Sequence, residues 1–397
     1  MHKPKRSILL LAFSLLAMIG PGVRATTANQ FVLSPEDNHL WAYDAATGQA
    51  QLVVHAVNGA DPGVSAPPGA QSRDINGQIC VSPDGHHVIT GEDTVIGSGS
   101  SHDPRIAGWG YHAIAGTSLG HITTHQEGKL SPAAGRGPTY TGDPDNYGCG
   151  FLDSNRLVTT AIGNTLPGED ANGQLFLWFG PFDSGFTEET DGGVSFFVGA
   201  VDHCEIDHTL ATAGGIAVDK NGDVYVATNR PDFNGAPGGI WRYRGTWPTT
   251  YEECTPAFLA ANITKTLVIP AIDALPADPR ALTPSMAVIS PDDTLYVSSV
   301  FTGTVSEFTK GGQWVRDIFP LSPVAPRTGP TGDTPFGLAF TSDGSLWIAD
   351  LGIVLAEPVA GLGSVIKVSF TDGQPEPLGQ RIAENLTYPD GLGVYTP

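Results

Sequence analysis

The chain has 397 residues, with 20 basic against 41 acidic side chains and a formal charge of −21. So acidic a surface repels phosphate backbones, which argues against a nucleic-acid partner and favours cations or neutral small molecules. Its 50 glycines, 32 prolines and 15% charged residues point to many short strands and tight turns.

The first residues have the pattern of an export signal. Lys3, Lys5 and Arg6 form a positive start, and Ile8 to Ile19 form an apolar run of 12 residues. That run is too short to span a bilayer, and Gly22-Val23-Arg24-Ala25 offers small residues for cleavage. The expectation is a signal peptide at 1–25, a mature chain of 26–397, and a secreted or periplasmic location. Cleavage removes four of the 20 basic residues and no acidic one, leaving 16 against 41, or −25. No later stretch is long and apolar enough to cross a membrane.

Phe31-Val32-Leu33, His39 to Tyr43 and Leu52 to Val54 read as short strands around a turn at Ala46-Thr47-Gly48. A repeat then sets in: an apolar strand, a polar turn with Asp-Gly character, and a second apolar strand. Its first copy is Ile79-Cys80-Val81-Ser82-Pro83-Asp84-Gly85, followed by Val88-Ile89-Thr90. Residues 97–138 are rich in Gly, His and Pro and are expected to hold outer strands of one blade plus a long loop. A weaker copy runs from Cys149 to Asn155 and on through Leu157-Val158-Thr159. Residues 180–193 and 271–284 read as inter-strand loops around further copies. Those copies are Ile216 to Gly222 with Val224 to Ala227, Ala287 to Asp293 with Leu295 to Val297, and Leu338 to Gly344 with Leu346 to Asp350.

The turn positions Gly85, Asn155, Gly222, Asp293 and Gly344 are spaced by 70, 67, 71 and 51 residues, which suits a four-stranded blade with variable outer loops. The sixth copy is split. Tyr388-Pro389-Asp390-Gly391-Leu392-Gly393-Val394-Tyr395 reads as an innermost strand, and the N-terminal strands supply the rest of its blade. The expected fold is all-β: a six-bladed β-propeller in one domain, its ring closed by the C-terminal strand joining the N-terminal blade. Inner-strand starts fall near Asn76, Asn146, Ala213, Pro284, Pro335 and Pro389.

Of the four cysteines, Cys204 and Cys254 lie in polar surroundings that favour a disulfide in an oxidising compartment. Cys80 and Cys149 lie within apolar strands, where a bridge and two buried thiols compete equally.

Pro335-Phe336-Gly337-Leu338-Ala339-Phe340 through Asp350, and Tyr388 to Val394, resemble the senescence-marker-protein/gluconolactonase superfamily and the related NHL-repeat propellers. The resemblance covers most of the mature chain at repeat level and implies the propeller fold. In its lactonase branch it further implies a divalent cation at the central channel, held by Glu, Asn and Asp. Asp390 matches the Asp of the strand-start Pro-Asp-Gly motif. Asn76 and Asn146 lie at comparable starts, and Glu92 is the nearest chemical substitute for the branch's N-terminal Glu.

Carboxylates and carboxamides at inner-strand starts converge on one axis and repel unless a cation or water satisfies them. The set is Asn76, Glu92, Asp93, Asn146, Asn164, Asp350 and Asp390. Within it, Glu92, Asn146, Asn164 and Asp390 are the expected metal ligands, with Asp93 or Asp350 as general base. Oxygen donors of this kind suit Ca²⁺ or Mg²⁺, with Ca²⁺ ahead of Zn²⁺ or another transition metal. The leading reading is an exported metal-dependent hydrolase of a lactone or ester. A non-catalytic binding propeller with a structural cation stands against it. A metal lyase or oxidoreductase using His102, His112, His121, His125, His203 and His208 is a third reading, although their spacing matches no compact zinc motif. No Gly-x-Ser-x-Gly elbow or phosphate-binding loop occurs. Trp178, Trp241, Trp247, Trp314 and Trp347 suit blade packing better than a ligand cleft.

Overall fold

The computed structural model describes residues 29–37, 39–54, 73–94, 108–116, 122–130, 135–138, 146–162, 172–182, 186–191, 194–229, 236–271, 284–300, 302–319, 333–354, 357–377 and 379–397. The expected leader at 1–25 and Asn164 lie outside these residues.

Alternating β-branched and aromatic segments separated by tight turns give six sheets of four or more strands. Each blade runs from an inner strand outward. Blade 1 takes its inner strand Gly393–Tyr395 from the C-terminus and adds Phe31–Glu36, His39–Asp44 and Ala50–Val54. Blade 2 comprises Arg73–Val81, His87–Thr94, Gly108–Gly116 and Ile122–Leu130. Blade 3 comprises Asn146–Asp153, Arg156–Ala161, Gly173–Phe179 and His203–Leu210. Blade 4 comprises Thr212–Val218, Val224–Asn229, Gly239–Gly245 and Ile263–Pro270. Blade 5 comprises Pro284–Ile289, Leu295–Ser299, Thr304–Phe308 and Trp314–Phe319. Blade 6 comprises Pro335–Phe340, Leu346–Asp350, Gly363–Val368 and Gln380–Leu386.

Each inner strand packs against the next, and that of blade 6 meets blade 1, so the ring closes. Closure follows the expected split, with Val32 opposite Val394 and Leu33 opposite Gly393. The blade 1–blade 6 seam is an apolar core in which Val32 and Tyr43 pack with Ala339, Trp347 and Val365. Burying side chains of this size stabilises by about 1.5–3 kcal/mol each.

Residues 180–193, expected to be loop, contain instead one arm of a hairpin, Phe186–Asp191 paired with Val194–Gly199. The hairpin leaves blade 3 and adds to blade 2, where Val198 and Gly199 pair in parallel with Lys129 and Leu130. The alternation is too short there to announce a strand that belongs to a neighbouring blade.

Both cysteine pairs are bridged. Cys80–Cys149 joins the inner strands of blades 2 and 3, and Cys204–Cys254 joins the outer strand of blade 3 to the turn before Ile263–Pro270 in blade 4. The tryptophans chiefly pack blades: Trp178 and Trp347 are fully buried, while Trp314 stands exposed on blade 5.

Candidate functional site

All six inner strands run in the same sense, so their starts meet at one face, here called the strand-start mouth. Blades 1, 2 and 3 bring polar side chains together there. Asp390 is only 6% exposed, and its Oδ1 accepts from the Gly77 amide at 3.0 Å, linking blade 1 to blade 2. Asn146 is fully buried at the start of blade 3, and its Nδ2 donates to the Gly108 carbonyl in blade 2 at 3.0 Å. That bond fixes the amide plane and turns Oδ1 away from Gly108. Asn76 stands opposite Gly91 across the inner pair of blade 2. A Cβ on Gly91 would lie 2.2 Å from the Asn146 carbonyl and 2.8 Å from that of Asn76, so glycine is what lets these two starts meet.

The backbones of Glu92 and Asp93 continue the same strand, opposite Ile75 and Asp74 respectively. Their side chains, like Asn164, fall outside the described residues. The structure therefore brings Asn76, Asn146 and Asp390 together and carries the chain at Glu92 and Asp93 to the same end of blade 2.

Asp350 reaches the same face but is committed to its own blade. It is 3% exposed, and its Oδ1 accepts from the Thr334 amide at 2.7 Å and the Thr334 hydroxyl at 2.9 Å. Its Oδ2 accepts from the Ser364 hydroxyl at 3.0 Å, with Arg381 3.8 Å away. Burial, reinforced by nearby Asp333, pushes its pKa above the ordinary carboxylate value, while the Thr334 and Ser364 bonds work the other way. This geometry gives Asp350 the task of holding the segments on either side of blade 6.

The axis below the mouth is plugged by residues that sequence reasoning did not single out. Gln78 leaves the inner strand of blade 2 and reaches past blade 3. Its Nε2 donates to the Ile216 carbonyl of blade 4 at 2.7 Å, and its Oε1 accepts from the Ile216 amide at 2.8 Å and the Cys149 amide at 3.3 Å. Tyr147 of blade 3 and Phe336 of blade 6 come from opposite sides of the ring, and their rings meet with centroids 5.7 Å apart. Tyr388 stands 41% exposed at the rim, in a left-handed backbone conformation with φ of 53°. Only a polar residue interrupting an apolar strand signalled Gln78, and nothing local distinguishes it from a solvated one.

A second buried acid lies at the same end of blade 1. Glu36, 5% exposed, accepts from the Tyr43 hydroxyl at 2.5 Å. Burial lifts its carboxyl from 4.5 to about 7, against the opposing effect of that hydrogen bond.

His102, His121 and the side chain of His125 lie outside the described residues, and His112, His203 and His208 sit in separate surroundings. His112 pairs with Thr90 inside blade 2, at 3.1 Å. His203 contacts the carbonyls of Pro138 at 2.8 Å and Val201 at 3.4 Å, and lies against the Trp178 ring. His208 is held by Glu205 and Gln174. Among the described residues no three His, Cys, Asp or Glu side chains gather as a metal site. A cation at the mouth would therefore depend on Asp390 together with amide oxygens, and on Glu92. As a donor set, one buried carboxylate with carboxamide oxygens fits a hard cation.

No protein-family model and no curated protein matches the chain. Solved structures do match. One is virginiamycin B lyase from Staphylococcus aureus, 13% identical, covering 92% of this chain and 88% of that one with a TM-score of 0.40. A luciferin-regenerating enzyme is 10% identical, covers 91% and 96%, and scores 0.44. A protein provisionally described as a gluconolactonase is 11% identical, covers 89% and 91%, and also scores 0.44. Likenesses this remote decide nothing about activity. On its own sheets the chain is a six-bladed β-propeller, and these three proteins are similar to it over most of their lengths.

Proposed function

We propose that the protein is an exported hydrolase of a lactone or ester, working at the strand-start mouth with a divalent cation, Ca²⁺ by preference. The observation that carries this reading is the convergence of Asp390, Asn76 and Asn146 from three successive blades, with a nearly buried carboxylate among them. Asp390, Asn146 and Glu92 are the residues that would hold the cation, with Asn76 beside them. A cation there supplies polarisation of a substrate carbonyl and a more acidic water.

The chain's own residues do the rest. The Gly77 amide holds the Asp390 carboxylate in place, and the Gly108 carbonyl holds the Asn146 amide. Tyr147 and Phe336 form an aromatic floor that separates the mouth from the channel below. Asp93 is assigned the role of accepting a proton from water, leaving Asp350 as a positioning residue for the blade 6 rim. Two disulfides, and no membrane-crossing helix among the described residues, suit export to an oxidising compartment after removal of 1–25.

The test is turnover of δ-valerolactone and 4-nitrophenyl acetate by purified mature protein, before and after chelation. Activity that is lost on chelation, restored by Ca²⁺ and lost in Asp390→Asn supports the reading. Turnover unaffected by both chelation and Asp390→Asn overturns it.

A further inference from the structure

The six inner strands enclose a second compartment on the axis, a cavity of about 350 Å³ below Gln78. Val394, Val81, Phe151, Val218, Ile289 and Phe340 hold the same position in the six repeats, and all six line it. Each is half-buried, so the cavity opens at the face opposite the polar mouth. Among the described residues its lining contains no Asp, Glu, Lys, Arg or His. The inner strands are the last strands of their sheets, so their axis-facing peptide groups pair with no neighbouring strand among the described residues. The wall thus combines aliphatic and phenylalanine side chains with fixed N–H and C=O groups, and these polar groups supply more than half of its exposed surface.

We propose that this cavity is a binding site distinct from the mouth, for a neutral, compact molecule that pairs an apolar ring or chain with hydrogen-bonding groups. A charged ligand would be stripped of water with no counter-charge in the wall. The volume lies at the low end of small-molecule sites and is far too small for a protein segment with its own fold. Gln78, fixed to Ile216 and Cys149, and the Tyr147–Phe336 pair separate it from the acidic mouth. The Cys80–Cys149 bridge stiffens one wall by tying two inner strands together. The site stands whether or not the mouth is catalytic.

The experiment uses the oxidised mature protein and two neutral probes. N-phenyl-1-naphthylamine is titrated by fluorescence into the wild type, Val218→Trp and Tyr388→Ala. Saturation at one probe per chain is expected, with affinity at least tenfold weaker in Val218→Trp, which fills the cavity entrance, and unchanged in Tyr388→Ala at the other face. Because Val218→Trp also disturbs blade packing, 1-azidonaphthalene is photolysed on the wild type and the labelled peptides are mapped. Labels on the segments around Val81, Phe151 and Val218 support the site. The absence of saturable binding, which leaves a cavity holding water only, overturns it. So do labels confined to residues 385–391 or scattered over the surface.

Discussion

Replacing Gln78 with leucine should destabilise the propeller more than replacing it with alanine, although leucine buries more apolar surface. The Gln78 amide makes three hydrogen bonds to backbone groups of two other blades. At a net 0.5–1.5 kcal/mol each, they contribute about 1.5–4.5 kcal/mol. Truncation to alanine opens space beside a cavity of about 350 Å³, where water can take over the Ile216 and Cys149 groups. That loss should stay near the lower end, about 1–2 kcal/mol. Leucine occupies the same space, excludes the water and leaves two amides and a carbonyl bare, which costs about 3 kcal/mol or more. The assay is urea unfolding with the disulfides intact, comparing midpoints at unchanged slope. A leucine variant as stable as the alanine one, or more stable, would refute the cross-axis role of Gln78.

Other expectations follow from the same geometry. Glu36 binds its proton more tightly folded than unfolded, so its contribution to stability is present below about 4.5 and is lost as pH rises through about 7. The lift from 4.5 to about 7 corresponds to about 3 kcal/mol, and Glu36→Gln should flatten that part of a stability–pH curve measured from pH 4 to 8. Asp350→Ala strands the Thr334 and Ser364 donors and should cost about 3 kcal/mol, whereas Asp350→Asn keeps an acceptor without a buried charge and should cost under about 1 kcal/mol; thermal unfolding separates the two. Removing either disulfide frees a loop spanning 69 or 50 residues. In the chain-entropy account that costs about 4 kcal/mol, readable as a lowered urea midpoint for Cys80→Ser with Cys149→Ser, or Cys204→Ser with Cys254→Ser.

The ring was legible because a propeller repeats its signal. Each strand–turn–strand copy reports locally on one blade, and the split copy at Phe31 to Val54 and Tyr388 to Tyr395 declares the closure. The start positions were legible for the same reason: counting back from the turns leads to Asn76 and Asn146, and the Pro-Asp-Gly motif marks Asp390. What lies across the axis was not. Gln78 meets Ile216 over 138 positions, and Tyr147 meets Phe336 from the opposite blade, and no local pattern encodes either distance. Asp350 looked like an axial acid because it ends a strand at the correct face. Its partners Thr334 and Ser364 belong to separate elements, and they are what decides its role. Glu36 was not singled out, although Ser34-Pro35-Glu36-Asp37 resembles the Ser82-Pro83-Asp84-Gly85 turn of the next blade. Blade 1 is shifted outward by one strand, which places that turn at the other face and buries the acid.

The proposed cation site at the strand-start mouth is assembled from three blades. Calorimetric titration of Ca²⁺ into chelator-treated mature protein tests it most directly, with Asp390→Asn alongside. Asparagine keeps an oxygen to accept from Gly77 but removes the charge, so the fold should persist. The expected result is one Ca²⁺ per wild-type chain and affinity at least tenfold weaker in the variant. Equal binding by both proteins, or none by the wild type, would contradict the account.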